Sequence, residues 1–233
     1  MMGSASYAAR RSQLETYFDR TAAETWARLT STAKVSRIRE TVRAGRDEMR
    51  ATLLSWLPED LSGRRILDAG CGTGALAIEA ARRGADVIAI DIAGNLVNVA
   101  RERAPSDLKG SIEFHVGDML NPELGSFDHV VAMDSLIHYQ PADIADTVAK
   151  LMARTRQSIV ITFAPKTPLL TVMHNVGLLF PRGDRAPAIV PVTATTLCDL
   201  LEDRFEAGDW TNTRTQLVTS GFYKSQAFEL KRA

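Results

Sequence analysis

Hydrophobic positions along this chain change their period twice, and each change predicts a different kind of element. Up to residue 58 they recur at helical spacing. Leu14, Tyr17, Phe18, Trp26 and Leu29 form one stretch, Val35, Ile38, Val42, Met49, Leu53 and Trp56 a second, and Pro58 marks the end. Ser12-Gln13-Leu14-Glu15 has the form of a capping box and predicts a helix start. From Arg65 onward short β-branched runs alternate with amphipathic segments. They predict strands at 65–69, 86–91, 111–116, 127–133 and 158–163, and helices at 74–83, 95–103 and 141–153, with Pro141 suited to a first helical turn. Such alternation implies parallel strands joined by crossover helices. After Phe163 the rhythm breaks: 164–192 holds five prolines and the apolar stretch Leu169 to Phe180, too long for a plain connection and therefore a candidate substrate element. A helix at 195–201 and strands at 205–210 and 222–230 follow, the last two forming a hairpin that completes a seven-stranded sheet. The expected fold class is α/β, a mostly parallel seven-stranded sheet with helices on both faces. It would carry an N-terminal helical arm or lid over 1–58 and a main domain over 59–233, with 164–192 inserted on the substrate side.

One junction between these elements carries chemistry. Ile66-Leu67-Asp68-Ala69-Gly70-Cys71-Gly72-Thr73-Gly74 is an apolar strand with an acid near its end, running into a glycine-rich turn. Gly70, Gly72 and Gly74 let the backbone turn tightly and let a nucleotide-sized ligand approach where the strand yields to a helix. Gly70, Gly72 and Ala75 also satisfy the dinucleotide pattern G-x-G-x-x-A, but Asp68 would repel a pyrophosphate and attract a cationic ligand. S-adenosylmethionine has an ammonium and a sulfonium and no phosphate, and this stretch resembles motif I of the class I S-adenosylmethionine-dependent methyltransferases. Asp91 ends the second strand about 20 residues further on, where a carboxylate accepts hydrogen bonds from ribose hydroxyls; Ile92 follows it. A strand-terminal Asp is also a common turn-former. For Asp118-Met119, after the third strand, the resemblance implies an acid reaching the adenine amino group and a side chain packing on the ring; the alternative is a loop Asp beside Gly117. Met133, closing the fourth strand, is a further candidate cofactor contact.

Composition narrows the setting. The 233 residues have zero formal net charge, with 45% hydrophobic and 24% charged side chains, which suits one globular domain with a sizeable core and argues against nucleic acid as main partner. No apolar run approaches the roughly 20 residues that span a bilayer, and Met1 to Arg11 lacks the apolar region of a secretory signal, so a cytoplasmic location is expected. Cys71 and Cys198 are expected to be reduced thiols. No Cys/His cluster has zinc-ligand spacing and no Asp-rich loop suits calcium, so no protein-held metal is expected. The first 50 residues hold ten Lys or Arg against six Asp or Glu. That excess reads either as the solvated face of packing helices or as a lid whose cations attract an anionic substrate or membrane surface.

The loop after the fourth strand, Asp134 to Pro141, should face a transferred group, because ligands of open parallel sheets lie outside the carboxyl ends of the strands. It holds His138 and Tyr139, the candidate catalytic pair. His115 and His129 fall in or beside strands and read as structural; His174 lies in the apolar stretch. A narrower resemblance rests on Tyr17-Phe18-Asp19-Arg20-Thr21 with Trp26, on Val35 to Gly45, on the glycine turn and on Leu136-Ile137-His138-Tyr139. Together they are similar to the magnesium-protoporphyrin IX O-methyltransferases of bacteriochlorophyll synthesis. The chain departs from that pattern at Leu29-Thr30, so no substrate role for a tyrosine there is carried over.

The resemblance implies a Rossmann-like fold, S-adenosylmethionine as cofactor, and esterification of one propionate of a magnesium porphyrin. It also implies substrate delivery from magnesium chelatase and loose association with a photosynthetic membrane. A flat apolar disc with two propionates on one edge requires a wide apolar cleft with cations at its rim. Tyr17 and Trp26, the helical face Met173, Val176 and Phe180, and Arg182 and Arg185 are the candidates, although each taken singly also fits an ordinary core or surface. His138, with Tyr139, would position the propionate or a water. Two alternatives stay open: another small-molecule O- or N-methyltransferase, such as one acting on a quinone precursor, and a non-catalytic subunit that binds S-adenosylmethionine or porphyrin.

Overall fold

The computed structural model describes residues 4–21, 30, 36–166, 188–204 and 209–233. Seven strands form one sheet: β1 (Arg65–Ala69), β2 (Asp86–Asp91), β3 (Ser111–Val116), β4 (Phe127–Ala132), β5 (Thr155–Phe163), β6 (Trp210–Ser220) and β7 (Tyr223–Arg232). Their order is β3-β2-β1-β4-β5-β7-β6. β1 to β5 pair in parallel, while β7 runs antiparallel to both of its neighbours, β5 and β6. The α/β class and seven-stranded sheet expected from the sequence are therefore present. Strand order reverses between β1 and β4, which opens a crevice at their carboxyl ends.

Alternate residues of the central strands feed two separate cores. Leu67 and Ala69 of β1, Val130 and Ala132 of β4, and Ile159 and Ile161 of β5 face one side. Ile66, Val131 and Val160 face the other. Successive strand side chains point to opposite faces, so a strand covered on both sides reads as an unbroken apolar run, as these do. The first face is covered by helices α1 (Ala5–Thr16), α5 (Pro141–Met152) and α6 (Ala194–Glu202), through Tyr7, Leu14, Ile144, Val148, Leu151, Leu197 and Leu201. The second face takes α2 (Arg37–Ser55) and α3 (Ala75–Arg82), through Met49, Leu53, Leu76, Ala77 and Ala80, and Val97 of α4 (Gly94–Arg103).

Two local expectations are corrected. Ser12 lies inside α1 and caps nothing: the helix starts eight residues earlier, where the Ser4 hydroxyl accepts from the Tyr7 amide at 3.1 Å. Ser4 and Ser6 also donate to Asp143 of α5, so the helix start is fixed by a tertiary contact that no local pattern contains. Of the strand expected at 205–210, residues 205–208 lie outside the described residues; the described strand β6 runs from Trp210 to Ser220, well past the expected end. Polar residues occupy most of it because β6 is an edge strand, where apolar side chains would expose a sticky margin.

After β5, Pro165 forms an isolated parallel bridge with Val192, and the Val192 amide donates to the Ala164 carbonyl at 2.9 Å. The chain thus leaves and returns at the carboxyl end of the sheet. Among the described residues no helix is long and apolar enough to cross a membrane. Cys71 and Cys198 are both free.

Candidate functional site

The site is built from strand ends. β1 delivers Asp68, 1% exposed, just before the glycine turn. The Gly70 and Cys71 amides donate to the Ile90 carbonyl at 2.8 and 3.0 Å, closing the turn against β2, and Gly74 caps α3 with φ of 81°. Gly70 has φ of 86°, and a Cβ there would run into the Ser135 side chain, so the turn abuts the loop after β4. At Gly72, φ 53°, a Cβ would meet nothing within 4 Å, so this residue borders open space.

β2 delivers Asp91 opposite the turn. Its Oδ2 accepts from the Gly72 amide at 2.9 Å and its Oδ1 from the Ala93 amide at 2.9 Å. Burial raises its pKa while the Ala93, Gly72 and Ile92 amides pull it back down. Asp68 has less help. Burial, and then the neighbouring Asp91 carboxylate, raise its pKa to about 7, with the Ala77 amide pulling the other way. Its Oδ2 is buried without a hydrogen-bond partner among the described residues. A buried unpaired carboxylate oxygen is costly, and a cationic donor would relieve it.

β3 delivers Asp118. Its Oδ1 accepts from the Tyr7 hydroxyl at 2.8 Å and the Leu120 amide at 2.9 Å, and its Oδ2 from Arg11 at 2.6 Å. The N-terminal helix is therefore fastened to the loop where the adenine acid was expected. The Tyr7 ring stacks on Tyr139 with centroids 4.9 Å apart. Burial pushes both phenols well above their usual range, so each stays protonated.

β4 delivers Asp134, a non-glycine residue with φ of 53°, a strained value typical of functional loops. Its side chain is 5% exposed and ion-paired to Arg46 of α2 at 2.6 Å. Tyr223 and Ser225 of β7 donate to it as well, and its own amide donates to Thr162 Oγ1. Beyond it, His138 is 9% exposed. Arg10 donates to the His138 carbonyl at 2.7 Å and to the Ala188 carbonyl at 2.8 Å. His138 Nδ1 lies 3.3 Å from the Ala188 carbonyl, a contact that the tautomer protonated on Nδ1 satisfies.

These strand ends converge on two adjoining cavities. The first, about 100 Å³, is walled by Asp91, Ile92, Met119, Met133, His138 and Tyr139, with Leu14 and Phe18 from the N-terminal segment. The second, about 700 Å³, lies on the other side of the turn against Asp68, Gly70, Gly72 and Thr73. Arg46, Gly70, Gly72, Leu96 and Met133 border both. Thr30, where the chain departs from its resemblance, bonds Thr73 Oγ1 at 2.9 Å and accepts from Arg103. Gly74 sits under α4, close to Ala100 and Phe114, and serves the turn rather than the cavity wall.

Of the residues expected for substrate, Tyr17 packs edge-on against Phe18, and it is Phe18 that reaches the cavity. Trp26, Met173, Val176, Phe180, Arg182 and Arg185 lie outside the described residues, as does His174. Sequence reasoning passed over Tyr7, Arg11, Arg46 and Asp134. Asp134 was findable, since it directly follows the strand at the reversal of order. Tyr7 and Arg11 were not, because their partner is more than 100 residues away.

The arrangement suits S-adenosylmethionine. Asp68 offers a carboxylate to an ammonium, Asp91 keeps a fixed carboxylate at the cavity edge for ribose, and Ile92, Met119 and Met133 give apolar surface for a purine.

Comparison with known proteins narrows the relationship. The family model for the magnesium-protoporphyrin IX methyltransferase C-terminus matches residues 132–232, and a general methyltransferase-domain model matches 66–158. A magnesium-protoporphyrin O-methyltransferase of Rhodobacter capsulatus is 49% identical over 226 residues, covering 97% of this chain and 98% of that protein. The chloroplastic magnesium protoporphyrin IX methyltransferase of Arabidopsis thaliana is 31% identical over 218 residues, covering 91% of this chain and 68% of that protein. The crystal structure of magnesium protoporphyrin IX methyltransferase from Synechocystis with bound SAH superimposes with a TM-score of 0.83 at 27% identity, covering 95% of this chain and 99% of that one.

Proposed function

This chain belongs to the magnesium-protoporphyrin O-methyltransferase family, and we propose that it esterifies one propionate of Mg-protoporphyrin IX with the strand-end residues just described. The observation that carries the reading is the convergence of Asp91, Met119, His138 and Tyr139 on one cavity, with Asp68 across the glycine turn.

S-adenosylmethionine, when bound, supplies an electrophilic methyl group on a sulfonium. Asp68 would hold the ammonium and Asp91 the ribose hydroxyls, with Ile92 and Met119 against the adenine ring; Asp118 lines neither cavity and is held by Tyr7, Leu120 and Arg11. A propionate titrates near the ordinary carboxylate value of about 4.3 and is already ionised at neutral pH, so no side chain has to remove a proton. The protein's task is alignment, which can supply on the order of 7 kcal/mol of the barrier. His138 positions the propionate or a water beside it. Tyr139, held protonated, keeps its ring against Tyr7 and braces the loop. Apolar walls at Leu14, Phe18 and Met133 exclude water, which favours a reaction in which opposite charges meet and cancel.

A quinone-precursor methyltransferase would share the turn and Asp91, but full-length similarity to the porphyrin enzymes favours the porphyrin. Supply of substrate by magnesium chelatase and peripheral contact with a photosynthetic membrane complete the proposal and rest on the family resemblance. Titration tests the core of it. Mg-protoporphyrin should shift its Soret band on addition of protein, and S-adenosylmethionine should bind with a calorimetric signal. Absence of the Soret shift at saturating protein would overturn the substrate.

A further inference from the structure

Helix α1 meets the loop after β4 residue by residue. Tyr7, Arg10 and Leu14 follow one another at helical spacing and share one face of the helix. Tyr7 and Leu14 are buried in the core, and Arg10, between them, is half-buried. A guanidinium on a core-facing stripe is costly unless its donors are used. Tyr7 stacks on Tyr139, and one turn later Arg10 Nε donates to the His138 carbonyl at 2.7 Å. Phe18, in the turn that follows α1, then brings its ring to 5.9 Å from the His138 ring.

The two neighbouring arginines of α1 are used differently. Arg11 is ion-paired to Asp118, whereas Arg10 donates to three neutral oxygens: the His138 carbonyl, the Ala188 carbonyl at 2.8 Å and Gln13 Oε1 at 3.2 Å. The two carbonyls belong to different loops. Ala188 lies on the return limb of the 164–192 segment, where the Val190 amide donates to the Ile137 carbonyl at 2.9 Å. The Ala188 carbonyl also faces His138 Nδ1 at 3.3 Å. Arg10 therefore closes a ring of contacts around His138, holding its main chain directly and holding the oxygen that meets its imidazole. It lines neither cavity and reaches the site from behind.

We infer that Arg10 is a positioning residue for His138, setting the imidazole at the cavity wall by clamping the His138 and Ala188 carbonyls together. The inference rests on the role given to His138 in the function proposed above. An imidazole that orients an acceptor works through geometry, and a misplacement of about 1 Å costs up to about 10²-fold in rate. The planar guanidinium suits the task, since its fixed fork of donors spans two carbonyls at once. A lysine ammonium is a point charge on a flexible stem and sets no such geometry. Arg10 touches no reactant, so its effect on turnover passes through His138.

The test uses the full chain carrying Arg10→Met, Arg10→Lys, His138→Ala, and Arg10→Met with His138→Ala together, each checked for folding by thermal melts. Arg10→Met should lower kcat with Mg-protoporphyrin about tenfold and leave S-adenosylmethionine affinity within about twofold. In the His138→Ala background the same substitution should change kcat by less than about twofold, because residues that act as a unit are not additive. Arg10→Lys keeps the charge, should fall between wild type and Arg10→Met, and carries the same test if Arg10→Met does not fold. A second readout needs no substrate: the nitrogen NMR signals of the His138 ring in histidine-labelled protein, identified by their loss in His138→Ala, should move in Arg10→Met. Rate losses that multiply, or His138 signals that stay in place, would mean that Arg10 only docks α1 and would overturn the inference. If the signals move while the wild type methylates no porphyrin, the positioning stands and it is the proposed function that fails.

Discussion

The Tyr7 hydroxyl donates to Asp118 Oδ1 at 2.8 Å while its ring stacks on Tyr139. One side chain from the first helix thus touches both the candidate adenine acid and the candidate catalytic pair. Tyr7→Phe keeps the stack and loses the bond, and should lower stability by about 1 kcal/mol, read as a shifted denaturation midpoint at unchanged slope. Tyr7→Ala also empties the stack and should cost about 3–5 kcal/mol.

Glycine at position 70 is required by its neighbour as well as by its backbone. Gly70→Ala puts a methyl group into Ser135 at a positive φ, whereas Gly72→Ala meets only its own φ of 53°. The first should abolish S-adenosylmethionine binding and lower Tm sharply. The second should cost about 1 kcal/mol of stability and remain folded. Calorimetric titration and thermal melts of the pair measure the difference.

Arg46 and Asp134 hold the end of β4 in its strained conformation. Arg46→Ala leaves the Asp134 carboxylate buried with only neutral donors, and removing one partner of a buried pair costs about 3–5 kcal/mol. Tyr223→Phe removes one neutral donor and should cost about 1 kcal/mol. Urea unfolding of both variants gives the ratio.

Asp68 predicts a pH dependence of definite sign. Its carboxyl loses its proton near 3.8 in the unfolded chain and near about 7 in the folded, cofactor-free protein. Between those values the folded state holds the extra proton, so stability falls as pH rises and levels off above about 7. A bound ammonium favours the ionised form, so S-adenosylmethionine affinity should rise with pH through the same window. Asp68→Asn should reduce both slopes, leaving the smaller contribution of Asp91, whose pKa is shifted the same way. Calorimetry at several pH values reads both.

His138→Ala should lower turnover by about 10²-fold with little change in S-adenosylmethionine affinity, because a positioning imidazole acts on the acceptor and not on the cofactor. Steady-state kinetics with separate cofactor binding distinguishes this from a general loss of structure.

Much of this architecture is legible in the sequence, since the central parallel strands carry apolar runs and residues of telling chemistry lie at or just beyond the carboxyl ends of three of them: Asp68, Asp91 and Asp134. Local pattern failed where long-range contacts decide. The start of α1 is set by Asp143 of α5, and β6 is polar because it lies at an edge. The arginines of α2 read as a basic face in sequence; only the fold turns Arg43, Arg46 and Arg50 toward the glycine turn.

The most direct test of the account is methyl transfer itself. Purified protein with isotopically labelled S-adenosylmethionine and Mg-protoporphyrin IX should yield a porphyrin monoester carrying one labelled methyl group by mass, while the dimethyl ester of the same porphyrin yields none. A labelled methyl ether on a quinone precursor and no labelled ester on Mg-protoporphyrin would contradict it.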